Sequence, residues 1–374
     1  MDLEWSEEQE VLRDMVRGLC ASHASLDVVR AMEDDPKGYT DDFWKPLAEL
    51  GLLGLLIPEA HGGAGQTLLE AVVVYEELGR ALAPSPHFAS AVCGAGALLA
   101  GGSEAQQQAW LPRIASGEAI LAPAWLEPER GFGPRGVALR ARREGDAFVL
   151  DGTKRHVPYA ASATRLLVLA RTGEAETDVD LFLVDPAAPG VALVQQKSLA
   201  SDTQYQVELT GVRVAESERL GAAGSGWATW ERVMRDAVVL LAAQAMGGAE
   251  RALEMTVQYA KDRKQFGKPL GAFQAIAHYL ADAATAVDGG RTLVWEAAWV
   301  RASGRPHAKL AAMAKLFACR TFRDVTAMAQ QVFGGVGFTV EYDIQLYFRR
   351  AKQLQISWWD TRHLEELVAR EVLD

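Results

Sequence analysis

Arg263, Gln265 and Phe266 stand in the run Tyr259-Ala-Lys-Asp-Arg263-Lys-Gln265-Phe266-Gly267, with Gln274 seven residues further on. The run reads as the end of a long helix, and Gly267, Pro269 and Gly271 read as the turn after it. A guanidinium has the donor geometry to pair two phosphate oxygens at once, which is one chemistry open to an arginine at such a turn. A second run, Gln331-Val-Phe-Gly334-Gly335-Val-Gly337-Phe338 with Glu341 beyond it, puts glycines where side chains would hold a ligand away from the backbone. A helix terminus of that kind also offers free N–H groups to an anion. Taken singly, the first run reads rather as a polar helix end closed by glycine, and the second as a loop between two helices.

Other chemistries find no support. Gly131-Phe-Gly133-Pro-Arg-Gly136 fits GxGxxG, with Asp151 beyond it, but strand-like residues follow where the dinucleotide fingerprint demands a helix. It reads as a β-domain loop. His23, His61, His87, His156, His278, His307 and His363 show no H-E-x-x-H or Cys/His ligand spacing, so no metal is expected. Neither a GxSxG elbow nor a P-loop is present. The formal charge of −11 argues against a nucleic-acid surface, while leaving room for local basic pockets that take a phosphorylated small molecule. Cys20, Cys93 and Cys319 are odd in number and far apart, which suggests no disulfide framework and fits a reducing cytoplasm. The acidic start Met1-Asp-Leu-Glu-Trp5 lacks the basic region of a secretory signal, and the near-apolar stretch from Ala237 to Met246 is about half of a membrane span. No membrane partner is expected.

The elements that must position these residues follow from length and periodicity. At 374 residues the chain exceeds one ordinary core, and 49% hydrophobic with 23% charged residues is a globular composition. Ser6-Glu-Glu-Gln9 has the form of a capping box and starts a helix whose apolar stripe is Val11, Leu12, Met15, Val16 and Leu19. Phe43 to Leu52 and Leu68 to Leu82 repeat the pattern, with Pro58 to Gly65 as a breaker loop. From about Leu121 the period shortens. Val137 to Arg142, Ala147 to Gly152, Arg165 to Ala170, Val179 to Val184, Gln206 to Leu209 and Val212 to Val214 read as antiparallel strands. After Gly221 to Gly226 helices return over Trp227 to Lys264, Phe273 to Ala302, Ala308 to Phe333 and from about Tyr342. The expected fold is α+β and multidomain: an N-terminal α-helical domain over 1–120, a middle antiparallel β domain over 121–222 and a C-terminal four-helix bundle over 223–374.

The two glycine-bearing runs closely resemble the signatures of the acyl-CoA dehydrogenase family, and the helical, β, helical order is that family's order. Further similarities fall in sequence at Gly51 to Gly63, at Glu127-Pro128 and at Gly152-Thr-Lys-Arg155, so the resemblance covers roughly residues 4 to 371. It implies FAD as cofactor, an acyl-CoA thioester as substrate in lipid metabolism, an electron-transfer flavoprotein as electron acceptor, and a tetramer or dimer. On this resemblance Arg263, Gln265, Phe266, Gln274, Gln331, Gly334 and Gly335 reach the FAD of an adjacent subunit. The β domain would cover the flavin with Leu126, Val157 and Pro158. There the chain departs from the family: Leu126 stands for a threonine, and His156-Val157-Pro158 for Trp-Ile-Thr. Leucine has no hydroxyl and proline no N–H, so both polar flavin contacts are weakened.

The larger departure is at the base. Family chemistry removes an α-proton with a carboxylate while the β-hydrogen leaves as hydride to the flavin. Gap-free alignment places Ser357, Trp358, Trp359 and Asp360 where the family has Tyr, Glu, Gly and Thr, and indole cannot accept a proton. Some members carry the glutamate on the first long bundle helix, where Ala237 stands here beside Val238, a position at which many members have arginine. The candidate carboxylates are Asp360 and Asp236. Three readings stay open: a base-lacking subunit of a mixed tetramer, a homo-oligomeric enzyme with a relocated base or altered chemistry, and a non-catalytic binding protein on the same fold.

Overall fold

The computed structural model describes residues 5–373, so most of the acidic N-terminal run, Met1 to Glu4, lies outside the described residues. The first helix starts as the sequence requires: Ser6 Oγ accepts from the Gln9 N–H and Gln9 Oε1 accepts from the Ser6 N–H, each at 3.2 Å. Helix α1 (Glu7–His23) buries Val16, Leu19 and Cys20, while Val11 points outward at 69% exposure. The apolar stripe is thus rotated relative to the expected one, toward Cys20. Helices α2 (Leu26–Ala31), α3 (Asp41–Glu49), α4 (Leu68–Arg80), α5 (Ala95–Gly101) and α6 (Glu104–Ala115) follow, α5 continuing a π-helical segment over Phe88–Gly94. A second capping box, Ser103 with Gln106, opens α6.

The middle region holds β1 (Leu121–Ala124), β2 (Arg140–Glu144), β3 (Ala147–Pro158), β4 (Arg165–Arg171), β5 (Val179–Val184), β6 (Val191–Gln196), β7 (Gln204–Ala215) and β8 (Arg219–Leu220). They form one sheet in the order β6-β7-β3-β2-β4-β5-β8, antiparallel except that β1 and the edge of β2 pair with β4 in parallel. Two short strands expected at Gln206 and Val212 are one strand. Gly211, at φ +62, carries β7 through a register shift, and its N–H donates to Asp151 Oδ1 at 2.7 Å. Phe148, Leu150, Val157, Leu166, Val168, Phe182 and Val207 fill the core of this region. The Gly131 to Gly136 stretch is a loop with a 3-10 turn at Pro134–Gly136, and it leads to β2, not to a helix.

The C-terminal region holds α7 (Gly226–Asp262), a small hairpin of β9 (Lys264–Gln265) and β10 (Lys268–Pro269), α8 (Gln274–Ala302), α9 (Ala308–Phe333), α10 (Ile344–Ile356) and α11 (Thr361–Leu373). The single last helix expected from Tyr342 is therefore two. Trp358 and Trp359 take left-handed backbone angles, φ +53 and +73, which no helix tolerates.

The chain divides into two compact units. One comprises Met1–Arg30, Leu68–Ala83 and Val238–Asp374, the other Ala31–Thr67 and Pro84–Ala237. In the first unit α4 and α7 cross at glycine: a Cβ on Gly247 would lie 1.8 Å from the Glu76 carbonyl oxygen, and one on Gly79 would lie 2.0 Å from that of Gln244. Beneath this crossing the buried Glu76 carboxylate takes hydrogen bonds from Arg291 Nη2 at 3.2 Å and Trp295 Nε1 at 3.0 Å. Burial pushes its pKa up to about 7.

Candidate functional site

The first expected ligand-binding run is an exposed hairpin at the end of α7. The Arg263 N–H continues the helix ladder to the Tyr259 carbonyl at 2.8 Å, and the Arg263 carbonyl accepts from the Leu270 N–H at 2.9 Å, which closes the hairpin base. Phe266 and Gly267 both have positive φ, +52 and +79, the pattern of a two-residue type I′ turn. The turn holds the Phe266 ring 92% exposed, with Arg263, Lys264, Gln265 and Lys268 exposed around it. Gln274 is exposed at the first position of α8.

The second run ends α9. Gln331 is exposed, and Gly334 turns the chain at φ +67, ψ −144, a conformation reserved to glycine. Gly334 and Gly335 have open space where a Cβ would stand. The structure brings the two runs together through an aromatic stack: Tyr259 and Phe333 lie parallel within 15° at 4.1 Å between centroids, and Tyr259 Oη donates to the Phe333 carbonyl at 3.4 Å. The helix end bearing Arg263 and the turn at Gly334 are thus joined by this contact. Their cations, exposed aromatic and uncovered backbone suit a dinucleotide: guanidinium and ammonium for pyrophosphate, a ring face and bare peptide for the remainder.

The β-domain segment is built differently. Lys154, fully buried, donates to Glu127 Oε1 at 2.7 Å and to the Trp125 carbonyl at 3.3 Å. The Glu127 carboxylate also accepts the N–H groups of Ala138 at 3.0 Å and Leu139 at 2.9 Å. Burial lowers the pKa of Lys154, opposed by the Glu127 charge. Between these anchors Leu126 is half-buried, its carbonyl accepting from the Arg155 N–H at 2.8 Å. Val157 is fully buried in the sheet core, so its side chain faces away from any ligand, while Pro158 is half-buried. Neither Leu126 nor Pro158 presents a side-chain hydroxyl, so this segment suits a flavin less well than the hairpin suits its phosphates.

The α10–α11 connection carries Trp358. Lys315 of α9, fully buried, donates to the carbonyls of Leu354 at 3.0 Å, Ser357 at 2.8 Å and Trp359 at 2.8 Å. An ammonium has three protons and all are used, on the negative end of α10 and on the turn beyond it. Burial lowers its pKa. Trp359 is 2% exposed, with its indole Nε1 buried and without a hydrogen-bond partner among the described residues, and Trp358 is half-buried. Asp360 Oδ1 accepts from the His363 N–H at 2.9 Å and so caps α11. Asp236 is half-buried on α7, beside the fully buried Ala237 and Val238.

Lys315 escapes the motif reading, although a signal was available. It interrupts the buried face made by Ala311, Ala314, Ala318, Cys319 and Phe322, and a lysine on such a face needs acceptors. Among the described residues there is no group of three or more His, Cys, Asp or Glu arranged to hold a metal, and no helix is long and apolar enough to cross a membrane. Cys20, Cys93 and Cys319 are buried and free.

Three family descriptions match the chain: acyl-CoA dehydrogenase, N-terminal domain, over residues 6–118; middle domain over 122–213; and C-terminal domain over 224–372. The chain belongs to the acyl-CoA dehydrogenase family, whose members depend on a flavin, typically FAD. It is similar to the probable acyl-CoA dehydrogenase YngJ of Bacillus subtilis, at 31% identity over all of both chains. Its fold is similar to that of butyryl-CoA dehydrogenase from Megasphaera elsdenii, with a TM-score of 0.91 and 27% identity over all of both chains. It is also similar to a chain in the ChsE4–ChsE5 complex from Mycobacterium tuberculosis, with a TM-score of 0.90 and 30% identity over 100% of this chain and 99% of that one.

Proposed function

We propose that the protein is an FAD-binding acyl-CoA dehydrogenase subunit that lacks the catalytic base and works beside a base-bearing partner in a mixed tetramer. One observation carries the reading: the turn at 357–360 presents indole where the family resemblance places a carboxylate, and its one acid, Asp360, is engaged as the cap of α11. Asp236 lies one residue from the alternative position, about 100° around the helix. Neither is set up as a base toward an acyl α-carbon.

When bound, FAD supplies a hydride acceptor for the β-hydrogen of an acyl-CoA thioester, and an electron-transfer flavoprotein takes the electrons onward. The chain's own residues supply binding. Arg263 would hold the pyrophosphate, with Gln265, Phe266, Gln274 and Gln331 around it and the uncovered backbone at Gly334 and Gly335 allowing close approach. That a solved relative of 30% identity is a complex of two differently named chains supports the mixed assembly.

The test is the visible spectrum of the chain expressed alone, with flavin counted per subunit, followed by anaerobic titration with acyl-CoA. A base-lacking subunit leaves the flavin unbleached, and a glutamate-bearing homologue co-purifies. Bleaching by acyl-CoA in the single chain would overturn the proposal in favour of a homo-oligomer. Loss of that bleaching in Asp360→Asn or Asp236→Asn would then name the base.

A further inference from the structure

Trp5 immediately precedes the capping box of Ser6 and Gln9, the position from which an apolar residue ordinarily packs on the fourth residue of its own helix. That residue here is Glu10, exposed and charged, so the indole finds its partners elsewhere. Its ring lies 5.3 Å from that of Trp295 on α8. The Arg291 guanidinium, also of α8, stands 5.8 Å from its centroid and that of Arg13 of α1 stands 5.0 Å from it.

Both α8 side chains against the indole are the hydrogen-bond donors of Glu76, which is 4% exposed. An ionised carboxylate accepts about four hydrogen bonds, twice what these two supply. Nor is Arg291 reserved for it. The same guanidinium donates to Glu250 of α7 at 3.1 Å and feels Asp288, three residues before it on α8. Glu250 in turn pairs with Arg80 of α4 at 3.4 Å, and Arg80 and Arg251 share Glu254. On the α1 side Glu77 takes Arg17 at 2.7 Å and Arg13 holds Asp14 at 3.0 Å, while from α10 Tyr347 donates to the Arg80 carbonyl at 2.7 Å. The one cation bonded to Glu76 is therefore shared with other acids.

We propose that the segment at Trp5 is a strap on α8, released by charge on the Glu76 carboxyl. Seated, the indole covers both donors and keeps water from the carboxyl, which favours the neutral acid. Ionised, Glu76 draws on Arg291 and needs water for its remaining lone pairs, and lifting Trp5 uncovers both of its donors. The two effects are reciprocal: whatever factor the seated strap takes from the acidity of Glu76, the same factor of seating is lost once Glu76 is ionised. Burial holds this acid up to about 7, so release falls near neutral pH.

Hydroxyl-radical footprinting of the full chain, read at Trp5 by mass spectrometry and normalised to an added reporter peptide, follows the strap directly. Oxidation of Trp5 is expected to rise about twofold or more from about pH 6 to about pH 8 in wild type and to stay level in Glu76→Gln. Trp295→Phe keeps a ring beneath Trp5 and removes one donor to the carboxylate, so the rise should move to higher pH; it serves should the glutamine variant not fold. Trp5→Ala lets water reach Glu76. The pH window over which Glu76→Gln changes the melting temperature should therefore lie lower in the Trp5→Ala background than in wild type. No rise in wild type overturns the proposal, as does a rise that Glu76→Gln or Trp295→Phe leaves unchanged, or a window that Trp5→Ala does not move. The indole is then a fixed apolar anchor, and the buried carboxyl acts on stability alone.

Discussion

Lys315 Nζ donates a 2.8 Å hydrogen bond to the carbonyl oxygen of Trp359, 44 residues further along the chain. With the bonds to Leu354 and Ser357, this makes a buried cation the pin of the turn that carries Trp358. Lys315→Met removes the donors and leaves the carbonyls buried without them. The expected loss is about 3 kcal/mol or more of stability, at roughly 1–3 kcal/mol for each stranded group with incomplete additivity. Chemical unfolding followed by tryptophan fluorescence measures it, and a change below about 1 kcal/mol would mean that water replaces the ammonium there.

Trp359 sits at φ +73 and is 2% exposed, so a glycine would suit its backbone and fail its packing. Relief of a left-handed non-glycine residue is worth about 1–2 kcal/mol, whereas deleting a buried indole costs roughly 3–5 kcal/mol. Packing wins. Trp359→Gly is expected to be less stable by about 2 kcal/mol in urea titration, and a stabilised variant would show that the turn is held under more strain than its packing offsets.

Glu76 is expected to make the protein less stable as pH rises. Its pKa is raised from 4.5 to about 7 in the folded protein, so the unfolded chain releases this proton first. The contribution favours the fold below pH 4.5 and is lost as pH rises to about 7. Glu76→Gln keeps an acceptor for Arg291 and Trp295 without the charge. Its melting temperature relative to wild type should rise across that window, and a constant difference would refute the assignment.

Glu127 and Lys154 should not be equivalent partners. Lys154→Met leaves the Glu127 carboxylate still accepting from Ala138 and Leu139. Glu127→Ala leaves a buried ammonium and two backbone N–H groups without it. Breaking a buried pair costs about 3–5 kcal/mol, and each stranded N–H about 1–3 kcal/mol more. The expected order is therefore Glu127→Ala well below Lys154→Met in denaturant midpoint. The reverse order would place the stability of the Leu126 segment in the lysine.

The large divisions of this fold are legible because each rests on a local signal. Ser6 and Gln9 close a capping box wherever they meet, and the apolar period of Ala308 to Phe333 leaves no choice but a helix. The hairpin at Phe266 and Gly267 is likewise local. What escapes is nonlocal. The break at Trp358 depends on Lys315, and nothing in Ser357-Trp-Trp-Asp360 announces a left-handed turn except the aspartate that caps the next helix. The merger of two short strands into β7 rests on Asp151 of a neighbouring strand catching the Gly211 N–H. The stack of Tyr259 on Phe333, which joins the two glycine-bearing runs, spans 74 residues and has no sequence signature at all.

The pinned turn also ties the end of the chain to its middle. Helix α11 follows two residues with left-handed angles, in a turn whose carbonyls at Ser357 and Trp359 accept from Lys315 of α9. A substitution on α9 that removes the ammonium is therefore a lesion of the last helix as well, felt 44 residues from where it is made.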